Sequence, residues 1–235
     1  MKIQAVVPAW NAADTLAETL DSIAAQTVLP DEVIVVDDGS TDATAEIASS
    51  HPLDLKLIRT ENRGLPSALN TGIAAGEGDA IAILDADDLW MPEKTALQKQ
   101  VLLEQPEVDI VVGYFSTFEC PSIAPERFKT LKYVKGGEPG YLGGCLLVRR
   151  KWLVAEEFRF DEQLKNAHLV DWFRKTRHAH AVEKVIPETV MRRRIRPGTL
   201  GSRTTATPDS KMSPFVLEVA RRALQQKRKL KDHGA

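Results

Sequence analysis

Four short, predominantly apolar runs, each followed by a segment with helical features, most constrain the fold of this chain. The runs are IQAVV at 3–7, EVIVVDD at 32–38, LKLIR at 55–59 and AIAIL at 80–84. Short apolar runs that alternate with amphipathic helices are typical of βα units. We therefore predict an α/β fold in which a mostly parallel sheet is flanked by helices.

The segments between these runs carry apolar residues at helical spacing. The spacing is clearest after the first and third runs, at Leu16, Leu20 and Ile23 and at Leu65, Leu69 and Ile73. Ser40 or Thr41 can cap a helix after the second run, because short polar side chains accept the unpaired N–H groups of a first turn. A further helix is predicted after Pro92, and a further strand at 108–115.

Composition excludes several classes of protein. A chain of 235 residues, 43% of them hydrophobic, can bury the core of one α/β domain. Its net charge of -2 gives no overall attraction for nucleic acid or acidic membranes, and no nucleic-acid-binding module is recognisable. Cys120 and Cys145 lack CxxC or His-rich metal spacing, so thiols in a reducing compartment are favoured over a redox or zinc site.

The two ends of the chain bear on its location. The start, MKIQAVVPAW, is too short, and too soon interrupted by Pro8, for a signal peptide, and no run approaches the roughly 18 apolar residues of a membrane span. We therefore expect a cytoplasmic protein. Cationic residues from Arg221 to Lys231 could touch anionic lipid or a partner, although a charged helix end without such a role is the alternative.

Acidic residues follow two of the predicted strands. Asp85, Asp87 and Asp88 come directly after the fourth run, and Asp37 and Asp38 end the second. In open α/β sheets, ligands bind at the carboxyl ends of the strands. Two like charges at about 4 Å repel by roughly 4 kcal/mol at an effective dielectric near 20, so this clustering needs compensation. A divalent cation such as Mg²⁺ or Mn²⁺, held by carboxylates and substrate phosphates, would supply it.

Spacing within the first cluster separates its members. Asp85 and Asp87 alternate on an extended strand end and so point the same way, which allows one to hold a ligand and the other the metal. Asp88 faces elsewhere and can cap the helix that starts near Pro92. Both acidic segments also have a simpler interpretation, because strand-end acids are often solvated and DGSTD is favourable turn and N-cap sequence.

Four motifs in order resemble those of a known family. VVPAWNAADTLAETLDSIAAQT, VIVVDDGSTDAT, ENRGLPSALNTGI and ILDADDLWMPEK are together similar to the family 2 glycosyltransferases, over about residues 3–95. The resemblance implies the GT-A fold, a Rossmann-like mostly parallel sheet flanked by helices with a less regular acceptor-side half. We predict one domain at 1–235, because no linker is visible, divided into a nucleotide-sugar-binding half (1–115), an acceptor-side half (116–210) and a basic C-terminal helix (211–235).

The resemblance also implies how the donor, a nucleotide-diphosphate sugar, would be held at its base. Pro8 and Ala9 would line the nucleotide with backbone atoms. Asp38 would contact the base, and the segment around Asn62 and Arg63 would close over it. At the other end of the nucleotide, the resemblance implies that Asp85 binds the ribose. Asp87 would ligate the Mg²⁺ or Mn²⁺ ion that bridges the two phosphates.

The catalytic base is less clearly marked. The family's Glu-Asp pair, one carboxylate of which removes the acceptor proton, falls by register on His168 and Leu169. Asp171 lies three residues after His168, on the same face of a helix, and either residue could be the catalytic base. A histidine has an unperturbed pKa near 6.5, which suits this role. A small shift of the register would instead align Asp171 with the family's carboxylate. The alternative for Asp171 is a surface ion pair with Arg174 or Lys175.

Two further features of the second half leave alternatives open. Arg196 falls where many relatives carry a His, and with the arginines between Arg192 and Arg203 it could supply charge over the diphosphate, or belong to a solvated basic loop. The indoles of Trp90, Trp152 and Trp172 could form a sugar-stacking platform, although core packing is the usual fate of tryptophan.

The resemblance implies an enzyme that moves a hexose or N-acetylhexosamine from a nucleotide diphosphate, with UDP favoured, to an unidentified acceptor with inversion. The substitutions at His168, Leu169 and Arg196 suggest a rival, a nucleotide-sugar-binding protein that has lost turnover. A dinucleotide-dependent dehydrogenase is disfavoured, because VVPAWNAAD has no glycine where GxGxxG would stand. Oligomeric state is not indicated by the sequence.

Overall fold

Nine strands form one mixed sheet in the computed structural model, which describes residues 1–119, 138–164 and 167–195. In chain order the strands are β1 (Ile3–Ala9), β2 (Glu32–Asp38), β3 (Lys56–Thr60), β4 (Ala80–Ile83), β5 (Leu89–Trp90), β6 (Ile110–Glu119), β7 (Glu138–Pro139), β8 (Leu146–Arg149) and β9 (Glu183–Ile195). The helices are α1 (Leu16–Ala24), α2 (Thr44–Ser50), α3 (Leu65–Ala74), α4 (Lys94–Glu104), α5 (Lys151–Val154) and α6 (His168–His178).

The strand order is β3-β2-β1-β4-β8-β6-β9-β5, with β7 paired to β6. β1, β2, β3 and β4 pair in parallel, β8 is antiparallel to both β4 and β6, and β6 pairs in parallel with β9. The carboxyl ends of β1 to β4, β6 and β9 therefore lie at one edge of the sheet. The predicted α/β fold with a mostly parallel sheet is confirmed.

Side chains that alternate along the strands divide the core into two layers. Ala5 and Val7 of β1 pack in the layer that contains the buried faces of α1, α2 and α4. Val6, between them, packs in the opposite layer with residues of α3, α5 and α6. Every residue of β1 is buried, as expected for a central parallel strand covered on both faces.

The predicted helix caps were wrong. α2 begins at Thr44, with Ala43 at the N-cap, and α4 has Glu93 at its N-cap; neither helix has a side-chain cap hydrogen bond. The polar side chains expected there have other partners. Ser40 accepts the N–H of Asn11 at 2.9 Å, and Asp88 accepts a main-chain N–H from β9, so tertiary contacts replace local capping.

The proposed tryptophan platform was also wrong. Trp90, Trp152 and Trp172 are only 3%, 9% and 1% exposed. Their rings fill the core, and the Nε1 group of Trp172 donates to the Trp152 carbonyl at 2.8 Å. The fourth tryptophan, Trp10, is 59% exposed at the end of β1.

Several predictions concern residues outside the described ranges, namely Cys120, Arg196 and the basic helix at 211–235.

Cys145 is a buried free thiol, and burial raises its pKa to about 12, which suits an unreactive cysteine. Within the described ranges, no helix combines the length and apolar character needed to cross a bilayer. The division of residues 1–235 into functional segments stays a prediction.

Candidate functional site

Both acidic segments lie at the carboxyl edge of the sheet, on either side of β1. β1 pairs with β2 on one side and β4 on the other. Because neighbouring strands are about 4.8 Å apart, β2 and β4 run roughly 10 Å from each other across the sheet. Pro8 and Ala9 end the strand between them. The topology therefore brings the predicted nucleotide-lining residues and both acidic strand ends to one edge.

Asp38 holds the loop that follows β3. Its Oδ1 accepts the N–H of Arg63 at 2.9 Å and its Oδ2 accepts the N–H of Gly64 at 2.8 Å. Gly39, with φ +71°, permits this approach, because a Cβ there would lie 2.7 Å from the main-chain nitrogen of Asn62. Asn62 and Arg63 thus lie beside Asp38, as the predicted grouping requires. Contact with a base stays a prediction.

The loops after β1 and β2 are joined by side-chain hydrogen bonds. The N–H of Ala12 donates to Thr44 Oγ1 at 2.8 Å, and the N–H of Thr41 donates to Asn11 Oδ1 at 2.9 Å. Trp10 lies at the start of this joined region with its indole exposed. Our sequence interpretation missed Trp10, although its position directly after Pro8 and Ala9 was an available signal.

Residues 85–88 form what we call the acidic turn, and its main chain is held closely. The N–H of Asp88 donates to the carbonyl of Asp85 at 3.0 Å. The next three carbonyls accept side-chain hydrogen bonds, Ala86 from Thr15 Oγ1 (2.8 Å), Asp87 from Arg194 Nε (2.8 Å) and Asp88 from Thr19 Oγ1 (3.0 Å). α1 and β9 therefore fix the path of the chain at the end of β4.

Burial and like charges disfavour the ionised forms of Asp85 and Asp88 in the acidic turn. Burial, together with the charge of Asp87, raises the pKa of Asp85 to about 6, while Arg193 opposes the rise. Burial and the charges of Asp87 and Asp85 raise the pKa of Asp88 well above its ordinary value, against the N–H of Arg194 and the charge of Arg193. The charge of Arg193 thus offsets part of the repulsion that the sequence indicated.

The acidic turn fits a cation that also binds substrate oxygens. Among the described residues, no group of three or more His, Cys, Asp or Glu side chains could hold a metal ion. Mg²⁺, however, commonly takes one or two carboxylates and completes its shell with water and phosphates. Neighbouring carboxylates whose pKa is raised by burial and by mutual repulsion suit such a cation. The assignment of Asp87 to the metal and Asp85 to the ribose stays a prediction.

Three consecutive arginines of β9 have different surroundings. Arg192 is exposed and Arg194 is buried, and both guanidinium groups lie 4.6 Å from the ring of Phe118. Arg193, which points to the other face of the strand, acts electrostatically on Asp85 and Asp88. The sequence interpretation grouped these arginines with Arg196, whereas strand alternation separates them.

Both candidates for the base lie on α6, one turn apart. Asp171 is 7% exposed, and its carboxylate pairs with Arg174 Nη2 and Lys175 Nζ, each at 2.9 Å. This is the ion pair that we considered as the alternative role. His168 is the first residue of the helix, with its ring edge-on to Phe160 at 5.4 Å. A catalytic role for either residue stays a prediction.

Two contacts tie α3 and the loop before it to residues 160–162, which precede α6. Arg63 Nη2 lies 2.9 Å from Glu162 Oε2. The amide of Asn70 in α3 bonds both main-chain groups of Phe160, donating to its carbonyl at 2.9 Å and accepting its N–H at 3.1 Å. The loop next to Asp38 is thereby connected to the segment that leads to α6.

Comparison with known proteins agrees with this geometry. The model of the family described as Glycosyl transferase family 2 matches residues 4–155. The chain belongs to this family. Relatives of the chain include an uncharacterized glycosyltransferase of Rickettsia typhi, 31% identical over 190 residues, a match that covers 73% of this chain and 58% of the relative. The succinoglycan biosynthesis protein ExoO of Rhizobium meliloti is 32% identical over 177 residues, covering 68% of this chain and 51% of ExoO.

Solved structures show the same fold for this family 2 member. Crystal structures of S. aureus TarS superpose with TM-scores of 0.67 at 24% identity, covering 84% of this chain and 37% of that one, and 0.68 at 23% identity for the complex with UDP-GlcNAc, covering 89% and 63%. The predicted family and GT-A fold are confirmed. The chain spans a little over half the length of the two curated relatives described above.

Proposed function

We propose that this family 2 protein transfers a sugar from a nucleotide diphosphate to a hydroxyl or other nucleophile of an acceptor. The observation that carries the proposal is the position of two acidic strand ends on either side of Pro8 and Ala9. TarS, which shares the fold, has been crystallised with UDP and with UDP-GlcNAc, which supports a uridine donor and a hexose or N-acetylhexosamine as the transferred group.

At the base end of the donor, three features suit a nucleotide. The exposed indole of Trp10 offers an aromatic face on which a base can stack. Asp38 retains acceptor capacity, because each carboxylate oxygen can accept more than the one main-chain hydrogen bond described above. The loop containing Asn62 and Arg63 is held next to it, where it can cover the base.

At the diphosphate end, Asp87 would hold Mg²⁺ or Mn²⁺ and Asp85 would bind the ribose. A bound divalent cation would supply Lewis-acid stabilisation of the charge that develops on the departing diphosphate. Arg193 adds a positive charge at the same turn, and Arg196, outside the described residues, could add another. A base on α6, Asp171 or His168, would remove the acceptor proton. A single in-line displacement would then invert the configuration at the anomeric carbon of the sugar.

Thermal shift with a panel of UDP- and GDP-sugars tests the proposal, because a ligand that binds the native state raises the Tm. We expect a UDP-sugar to raise the Tm, with a further rise on adding Mn²⁺. Asp87→Asn should abolish the Mn²⁺-dependent rise and retain the remainder. Asp79→Asn is the matched control, since Asp79 precedes β4 at the opposite edge of the sheet and its side chain is 62% exposed.

Turnover separates the enzyme from its rival. The changes at His168 and Leu169 favour a second candidate, a nucleotide-sugar-binding protein without transfer activity. Donor binding accompanied by transfer, or by slow hydrolysis of the donor, supports the enzyme. Tight binding with neither reaction supports the binding protein, and a Tm that no nucleotide sugar changes would contradict both.

A further inference from the structure

Arg194 is a buried cation that forms hydrogen bonds with both Asp87 and Asp88 of the acidic turn. Its side chain is 4% exposed, and its guanidinium lies 4.6 Å from the ring of Phe118. Its Nε donates to the carbonyl of Asp87 at 2.8 Å, and its own main-chain N–H donates to Asp88 Oδ1 at 2.8 Å. Its Nη2 pairs with Glu18 of α1. Charged side chains are seldom buried unless they are paired, so this arrangement calls for an explanation.

The contacts of Arg194 complete the support of the acidic turn. Thr15 and Thr19 hold the carbonyls of Ala86 and Asp88 from the side of α1. The carbonyl between them, that of Asp87, is held from β9. Because a guanidinium is planar and presents several donors in a rigid fork, it can bind this carbonyl and Glu18 at the same time. A lysine, with one nitrogen, keeps the charge but not this geometry.

We propose that Arg194 is a positioning residue for the cation site. It fixes the main chain of Asp87 and so sets the direction of the carboxylate that holds the ion. The inference rests on the proposed function, because it concerns the same metal. It also separates Arg194 from its neighbour, since Arg193 acts through charge on Asp85 and Asp88 whereas Arg194 acts through the geometry of the turn.

The experiment compares wild type with Arg194→Gln, Arg194→Lys and Arg177→Gln. Arg177 is the matched control, because it also pairs with a glutamate, Glu183, and also lies over aromatic rings, yet it has no contact with the acidic turn. The first measurement is amide hydrogen exchange of residues 85–90 without ligand. The second is the Mn²⁺ concentration that gives half of the maximal Mn²⁺-dependent thermal shift with a saturating UDP-sugar.

We expect Arg194→Gln to exchange faster across residues 85–90 and to need about tenfold more Mn²⁺, as is usual when a group that orients a metal ligand is lost. Arg194→Lys should resemble Arg194→Gln, and Arg177→Gln should resemble wild type in both measurements. The shift caused by the UDP-sugar without Mn²⁺ should be unchanged in Arg177→Gln. In the Arg194 variants it should fall less than the Mn²⁺-dependent shift, since the nucleobase is bound at the other acidic segment and only the ribose contact of Asp85 lies in the turn.

Different results identify which proposal fails. Wild-type exchange across residues 85–90 in Arg194→Gln, or a wild-type Mn²⁺ requirement in that variant, would overturn the role of Arg194 alone. Full restoration by lysine would also overturn it, because charge rather than geometry would then suffice. Absence of any Mn²⁺-dependent shift in wild type would instead overturn the metal-dependent function, and the role of Arg194 with it.

Discussion

Lys94 shows how strongly burial can change a single residue. It is 0% exposed, and its Nζ donates to Gln98 Oε1 at 2.7 Å and to the Leu146 carbonyl at 3.0 Å, with the ring of Trp90 4.4 Å away. Burial lowers its pKa to about 7. The fold thus keeps in its core a lysine whose amine is largely uncharged at moderately alkaline pH.

This lowered pKa predicts a pH dependence of stability. Between about pH 7 and 9 the unfolded chain keeps the Lys94 proton while the native protein loses it, so the free energy of unfolding should rise by up to about 1.4 kcal/mol per pH unit. Above about pH 9 the buried Cys145, whose native pKa is raised to about 12, has the opposite effect. Urea unfolding of wild type and Lys94→Met from pH 7 to 8.5 measures the difference.

The wild-type rise should be absent from Lys94→Met, because methionine has no proton to lose. Lys99→Met is the matched control, since Lys99 lies on the same helix and its substitution leaves Lys94 in place. It should keep the wild-type slope. Equal slopes in wild type and Lys94→Met would show that Lys94 stays charged in the folded protein.

At the scale of elements, one amide connects α3 to the segment before α6. Asn70 is 5% exposed and bonds both main-chain groups of Phe160. Strand and helix periodicity indicated α3 but not this contact, because Phe160 lies 90 positions later in the chain. The Asn70 amide makes the two main-chain hydrogen bonds with Phe160 that a neighbouring strand would otherwise make.

Asn70→Ala should therefore lower the free energy of unfolding by about 2–3 kcal/mol, because two buried main-chain groups lose their partner. Thr71→Ala is the control, since Thr71 Oγ1 bonds only the Ser67 carbonyl within the same helix at 2.8 Å. Its cost should stay within about 1 kcal/mol. Urea unfolding of both variants gives the comparison, and equal costs would remove Asn70 from this role.

At the scale of the whole molecule, the two halves of the chain share one sheet. β5, from the first half, pairs with β9 at the far end, and β6 lies between β8 and β9. β4 and β5 of the first half thus both have a partner strand in the second half. We therefore expect the described part of the chain to unfold in one cooperative transition.

Trp172→Ala tests this cooperativity. Removing a ring that is 1% exposed should lower the free energy of unfolding by about 3–5 kcal/mol. Unfolding monitored by far-UV circular dichroism and by tryptophan fluorescence should shift together. Trp10→Ala, which removes an exposed indole, should cost less than about 1 kcal/mol. Separate transitions in the Trp172 variant would indicate that the halves unfold independently.

The sequence by itself determined β1 to β4, α1 to α4, the acidic strand ends and the family. These features are local, because hydrophobic periodicity reports the face that an element buries and motifs report residues close together in the chain. It also identified α6 as carrying both candidates for the base.

Only the tertiary structure decided what surrounds each candidate functional side chain. The pairing of Glu18 with Arg194 joins residues 176 positions apart, and the acidic turn receives both the charge of Arg193 and a hydrogen bond from Arg194 Nε. Likewise Asp88 serves β9 rather than a helix cap, and Trp10 rather than Trp172 is exposed. Such contacts depend on the order of strands in the sheet, and long-range order leaves no local pattern in a single sequence.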